Sequence, residues 1–207
     1  MIAGIILAAG ESKRFNRQNK LTLPLGSGLI IERVLETALK SVLARVILVV
    51  KPDDNEIIEI GKKYNTTIIF NPEYKNGMSS SIKAALLELD KEKSIEGFCV
   101  LLGDQPFISS KTIDSVVKAF QKGKKEIVVP CYRGKCGNPV LFDIAWQEDF
   151  MKISGDVGGR VLIRLYPDKI KKVEISDNTI LFDIDSEEDY RKAISHLITL
   201  KKLRRKK

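Results

Sequence analysis

Two hydrophobic patterns alternate along the chain. Short continuous apolar runs at 2–7, 45–50, 67–70, 98–102 and 126–131 have the length of strands. An unbroken run fits a strand covered on both faces, since a helix-flanked parallel sheet shows no polar side. Between these runs apolar residues recur at spacings of three and four, as in Ile30, Val34, Leu35, Ala38 and Leu39 within 29–43. Helices are expected there and over 55–64, 79–90 and 111–121. Strand and helix taking turns at this spacing predict an α/β fold: a mostly parallel, Rossmann-like sheet with helices on both faces.

Beyond residue 130 the rhythm loosens. Strands are expected at 139–142, 172–175 and 180–183, with a short helix at 145–152 and a glycine-rich turn at 155–160. A last helix follows, N-capped by Asp185 or Ser186, with Glu187 and Glu188 suiting the positive end of its first turn. No linker, repeat or low-complexity stretch divides the chain. The expectation is one three-layer domain over 1–200, with an irregular insertion between roughly 131 and 160 and a basic tail at 201–207.

Composition narrows the chemistry. Hydrophobic residues make up 43% and charged residues 30% of 207, which supports neither a disordered nor a fibrous protein. No apolar stretch approaches the length of a membrane span and no basic leader precedes the first strand, so a soluble cytoplasmic protein is expected. The net charge of +8 is mostly the tail KKLRRKK, which alone carries six positive charges. Such a run reads first as a solvated helix end, and nucleic acid is not the expected partner. Cysteines 99, 131 and 136 form no CxxC pair, and inert thiols are expected rather than a disulfide or a zinc site. With His196 the sole histidine, set in an amphipathic helix, metal cages and histidine-based catalysis recede. Carboxylates, cations and backbone amides remain.

In an open parallel sheet, ligands bind beyond the carboxyl ends of the strands. Four loops there carry polar residues. The first runs Leu7, Ala8, Ala9, Gly10, Glu11, Ser12, Lys13, Arg14, with Lys20 beyond. Its small residues let a ligand approach the backbone, and its cations suit phosphate. Neither GxxxxGK[ST] nor GxGxxG spacing is present. The second loop begins at Asn71 and ends in Gly77, Met78, Ser79, Ser80, Ser81, where hydroxyls at a helix start serve as caps or meet an anion or a nucleobase edge. The third, Gly103-Asp104-Gln105-Pro106, sets a carboxylate just past a strand, as a turn cap or as a Mg²⁺ ligand. The fourth, 183–189, offers Asp185 as a second carboxylate or as a helix cap.

Together these loops resemble the molybdenum cofactor cytidylyltransferases of the MobA-like NTP transferase superfamily. The resemblance rests on LAAGESKRF at 7–15 with Lys20, Leu21, Leu23 and Pro24, and on NPEYKNGMSSSI at 71–82. LLGDQPF at 101–107, Tyr132 with GNPVLF at 137–142, GDVGGR at 155–160 and DIDSEED at 183–189 complete it. Asn16 stands where the family has glycine, Asn138 where it has the histidine of GHP, and Glu187 where it has proline. The family fold is nucleotide-diphospho-sugar transferase-like.

The resemblance implies Mg²⁺-dependent transfer of CMP from CTP to the phosphate of molybdopterin cofactor, with release of pyrophosphate. Arg14, Lys20 and Asp104 would be catalytic. Leu7, Ala8, Ala9, Gly10, Ser12, Lys20, Asn71, Ser79, Ser80 and Gly103 would bind nucleotide, and Asp104 and Asp185 would hold the metal. Ala8-Ala9-Gly10 resembles the CTP branch, the GTP enzymes carrying Ala-Gly-Gly. Implied partners are the nucleoside triphosphate, a phosphorylated small-molecule acceptor, and a molybdoenzyme or its chaperone. A GTP enzyme, transfer to another phosphorylated acceptor and a non-catalytic nucleotide-binding module are the alternatives.

Overall fold

Strand β1 (Ile2–Leu7) lies inside the sheet, and its side chains leave it alternately: Ile2 and Ile6 into one apolar layer, Ala3 and Ile5 into the other. The period of two on a strand dictates this, and it explains why the run has no polar position. A computed structural model describes residues 1–12, 15, 18–123 and 126–204. The expected role of Arg14 therefore falls outside the described residues.

β1 pairs in parallel with β4 (Arg45–Val50) and β6 (Gly97–Leu102), and β4 with β5 (Thr67–Phe70). On the other side of β6, β9 (Val140–Asp143) runs antiparallel between β6 and β7 (Ile127–Tyr132), and β10 (Ile170–Glu174) pairs in parallel with β7. The order is β10-β7-β9-β6-β1-β4-β5. One layer holds α1 (Ile30–Leu39), α2 (Asn55–Lys63), α4 (Ser110–Phe120) and α7 (Glu187–Arg204); the other holds α3 (Met78–Leu89), α5 (Gln147–Lys152) and α6 (Arg160–Leu165). The expected three-layer α/β architecture is thus observed. Among the described residues no helix is long and apolar enough to cross a membrane.

The structure bears on four local readings: it corrects the first and the last, selects between the two expected caps of α7, and runs a helix across the expected boundary at residue 200. Residues 180–183 form no strand: Asn178–Leu181 is a 3-10 turn with buried Ile180, whose carbonyl accepts from Asn138 N at 3.2 Å. The stretch is apolar because it plugs the core beside the sheet. Second, Ser186 is the cap of α7, its hydroxyl accepting from Asp189 N at 3.2 Å, which leaves Asp185 for other contacts. Third, the expected boundary at residue 200 lies within α7.

Fourth, Cys131 and Cys136 are joined by a disulfide. β8 (Lys135–Cys136) folds back on β7, placing Cys131 directly opposite Cys136 with Cα atoms 3.9 Å apart. Arg133 and Gly134, at φ 48° and 80°, make the tight turn between them. Chain spacing alone hides a pairing that hairpin register creates. Cys99 remains a buried free thiol, as expected.

A small hairpin of β2 (Pro24–Leu25) and β3 (Gly28–Leu29) precedes α1. Tyr190 of α7 donates its hydroxyl to Pro24 O at 2.6 Å, tying the last helix to the loop that follows β1.

Candidate active site

The carboxyl ends of β1 and β6 meet at one point. Gly103 N donates to Leu7 O at 3.0 Å, and a Cβ on Gly103 would stand 2.8 Å from that oxygen, so glycine allows the two strand ends to touch. Asp104 follows at once. Its backbone carbonyl accepts from Ile184 N at 3.1 Å, which docks the 183–185 segment beside it.

Lys20 opens a 3-10 turn, Lys20–Thr22, capped by Asn19. The Asn19 amide works in both directions: its Oδ1 accepts from Leu21 N at 3.1 Å, and its Nδ2 donates to Asp54 Oδ2 at 2.8 Å. Asp54 is itself the N-cap of α2. The Ser12 hydroxyl accepts from Lys20 N at 3.3 Å. Lys20 is therefore held from both sides, and its Nζ reaches Asp104 Oδ2 and Asp185 Oδ1 at 2.7 Å each.

This ion triad is half-sequestered: the side chains of Lys20 and Asp104 are 15% and 18% exposed, that of Asp185 48%. Burial works against the Lys20 charge, but the Asp104 charge and the hydrogen bonds to both carboxylates outweigh it and raise the ammonium pKa above its ordinary value. Asp183 is a third carboxyl of this corner. Burial first, then the charges of Asp185 and Asp104, push its pKa above the usual carboxylate range.

Opposite the triad stands the first turn of α3. Gly77 precedes it at φ 89°, and a Cβ there would fall 2.4 Å from Asp156 N, so the 155–156 loop lies directly on the glycine. Ser79 donates its hydroxyl to Gly155 O at 2.8 Å, and Met78 N donates to Asp156 Oδ1 at 3.3 Å. Asn71, 2% exposed, donates through Nδ2 to the hydroxyls of Ser80 and Ser81, both at 2.9 Å, and accepts from Glu73 N.

Between triad and helix lies a cleft of about 1190 Å³. Of the residues singled out from sequence, Leu7, Ala9, Gly10, Ser12, Lys20, Ser79, Ser80, Asp104 and Asp185 line it. Ala8, Asn71 and Gly103 stand behind its wall: Ala8 is buried in the core, Asn71 braces the serines, and Gly103 joins two strands. Sequence reading missed Asn19 and Asp54, which aim Lys20, and Asp183, Lys83 and Arg164 in the lining. The DID spacing puts Asp183 two residues from Asp185, a signal that was present; the Asn19–Asp54 contact spans 35 residues and left none.

The corner suits a divalent cation. Asp104 Oδ1 is buried and makes no hydrogen bond, an acceptor left open beside the Lys20 contact. Hard carboxylate oxygens match Mg²⁺ or Mn²⁺, which take one or two protein carboxylates and complete their shell with phosphate and water. Among the described residues no group of three or more His, Cys, Asp or Glu side chains is arranged to hold a metal ion.

Comparisons with known proteins bear on the family and the fold. The family model of the MobA-like NTP transferase domain matches residues 4–173. The chain is 32% identical over 188 residues to molybdenum cofactor cytidylyltransferase of Escherichia coli, covering 90% of this chain and 92% of that protein. It is 27% identical over 199 residues to a protein of Paenarthrobacter nicotinovorans named nicotine blue oxidoreductase, covering 92% and 95%. Among solved structures, the manganese complex of Rv0371c from Mycobacterium tuberculosis superposes with a TM-score of 0.80 at 22% identity, over 94% of this chain and 98% of that one.

Proposed function

Because the chain belongs to the family of MobA-like NTP transferase domains and is a nucleotidyltransferase, we propose that it transfers CMP from CTP to the phosphate of molybdopterin cofactor and releases pyrophosphate. The observation that carries this reading is the Lys20–Asp104–Asp185 triad set at the end of β1 and β6, facing an open cleft. CTP is favoured by Ala8-Ala9-Gly10 and by the named activity of the E. coli relative. Its setting would be cytoplasmic.

An oxygen of the acceptor phosphate forms a bond to the α-phosphorus as the α–β bridging bond breaks, and the electron pair leaves with pyrophosphate. No protein nucleophile is needed, which suits a cleft without histidine or free cysteine in its lining. Positioning and neutralisation of spreading negative charge supply the catalysis in such transfers. Lys20 and Arg14 would neutralise the triphosphate. The backbone from Leu7 to Gly10, supported by Gly103, would approach the nucleotide, with Ser12 beside it. Ser79 and Ser80, braced by Asn71, would face base and ribose. Asp104 and Asp185 would hold Mg²⁺, with manganese in the Mycobacterium structure as support for divalent metal in this fold. The metal, when bound, supplies Lewis-acid polarisation and charge neutralisation at phosphate.

The test is pyrophosphate release from the pure protein with Mg²⁺ and molybdopterin cofactor, with CTP, GTP, ATP and UTP in turn. CTP alone should turn over. Turnover with GTP alone would correct the nucleotide, and silence with all four would refute the proposed acceptor. Asp104→Asn should lose activity and shift the Mg²⁺ titration to higher concentration; an unaltered titration would remove Asp104 from the metal site.

A further inference from the structure

The cleft holds a second concentration of positive charge that the Lys20 triad leaves unused. Lys83 of α3 and Arg160 and Arg164 of α6 all line it. None of the three enters an ion pair among the described residues, unlike Arg45, Lys63 and Lys152. Lys83 is half-buried along α3.

The backbone sets the three on two helices of one layer. Lys83 lies one turn beyond Ser79 on the same face of α3, and Arg164 one turn beyond Arg160 on α6. Two glycines of GDVGGR set α6 against its neighbours. A Cβ on Gly158 would stand 2.6 Å from Met78 Sδ, and one on Gly159 would stand 2.2 Å from Phe142 Cζ. Any side chain there would push α6 away from α3 and β9 and carry Arg160 out of the cleft. Asp156 of the same loop also lines the cleft, its Oδ1 accepting from Met78 N.

These cations belong to the layer of α3 and α6, whereas Lys20, Asp104 and Asp185 project from elements packed against the opposite layer. The two charge centres therefore flank the sheet edge from different sides. A triphosphate neutralised at Lys20 leaves the far centre for the other reactant.

We propose that Lys83, Arg160 and Arg164 form an anion subsite for the acceptor, holding an oxyanion group remote from its attacking phosphate oxygen. The inference rests on the nucleotidyl-transfer reading, and it adds that the acceptor is anionic at two separate places. The guanidinium forks of Arg160 and Arg164 suit a phosphate or carboxylate, and Lys83 adds a point charge beneath them.

The experiment uses the full-length protein, α,β-methylene-CTP as nucleotide probe and inorganic phosphate as anion probe, followed by calorimetry. Arg160→Gln/Arg164→Gln should bind the analogue within about two-fold of wild type. It should bind phosphate, titrated into the analogue-saturated protein, at least ten-fold more weakly. Lys83→Gln should shift phosphate binding in the same direction, and Lys20→Ala should weaken the analogue while sparing phosphate. Unchanged phosphate affinity in the double variant would overturn the proposal, as would a ten-fold loss of analogue affinity, which would assign these cations to the triphosphate. If the wild type does not bind the analogue, the nucleotide reading fails and the phosphate arm on the free protein still decides the subsite. Should the double variant melt early, Arg160→Lys/Arg164→Lys serves in its place, with phosphate binding expected to fall between wild type and the glutamine pair.

Discussion

At the scale of single residues, Lys20 braces Asp104 and Asp185 through one ammonium. If Lys20 neutralises the triphosphate, Lys20→Ala should lower turnover about 10²–10³-fold, the size of losing one preorganised donor to developing charge. Steady-state rates of pyrophosphate release measure it, and near-normal turnover would remove Lys20 from the chemistry. The same substitution gives a second readout. With its ammonium gone, the melting temperature of the metal-free protein should fall, and added Mg²⁺ should raise it more than in the wild type. An equal metal response in both proteins would mean that lysine and metal do not compete for these carboxylates.

At the scale of elements, α1 shows how a helix start is secured without a conventional cap. Leu29 occupies the N-cap position, but the Glu32 carboxylate reaches back to Leu29 N at 2.9 Å and pairs with Lys63 of α2 at 2.8 Å. The Lys63 hydrogen bond first, then that of Leu29, holds the Glu32 carboxyl below its usual 4.5. A depressed carboxyl pKa stabilises the folded state above about pH 4.5, and that contribution is lost as pH falls through the folded value. Glu32→Gln should therefore cost about 1 kcal/mol at neutral pH. The gap between variant and wild type should narrow in urea titrations as pH falls below 4.5. A gap independent of pH would mean that the hydrogen bond to Leu29, and not the charge, does the stabilising.

The β7–β8 hairpin and β6 make opposite uses of cysteine. Cys99 is fully buried, and burial pushes its thiol up to about 12. It should resist alkylation in the folded state, while Cys136 should become reactive only after reduction. Mass spectrometry after iodoacetamide treatment checks this: no label on the native oxidised protein, one label, on exposed Cys136, after mild reduction and three after unfolding in reductant. A label on Cys136 of the untreated native protein would refute the disulfide.

At the scale of the whole molecule, a ligand seated in the cleft would touch both helix layers and the sheet edge between them, so binding must stabilise the entire fold. At 100 times its dissociation constant a ligand adds about 2.7 kcal/mol, worth several degrees in a domain of this size. α,β-Methylene-CTP should raise the melting temperature by that amount in the presence of Mg²⁺, and the corresponding ATP analogue should raise it much less. Equal shifts would show that the cleft does not select the base.

The unbroken runs at 2–7 and 45–50 coincide with β1 and β4, because burial on both faces leaves so plain a pattern; the run at 67–70 is β5, an edge strand only half-buried, with Phe70 exposed. Leu7, Lys20, Asp104 and Asp185 were legible because each sits just beyond a strand or in a motif whose order along the chain is distinctive. That Asn71 turns inward to brace Ser80 and Ser81 was not legible, since the same residue at a loop start would serve equally well facing a ligand. The 180–183 run misled because an apolar stretch states only that it is buried; its 3-10 form depends on Asn138 and the sheet beside it.

Local pattern by itself determined the layers, the parallel strands and the family of loops, since periodicity and small-residue turns are properties of neighbouring residues. Tertiary structure alone decided that Lys20 bridges two aspartates 84 and 165 residues away, that Cys131 pairs with Cys136, and that Lys83, Arg160 and Arg164 line one cleft. Those meetings depend on sheet order, hairpin register and the packing of glycines against distant side chains, which arise only once the chain has closed on itself.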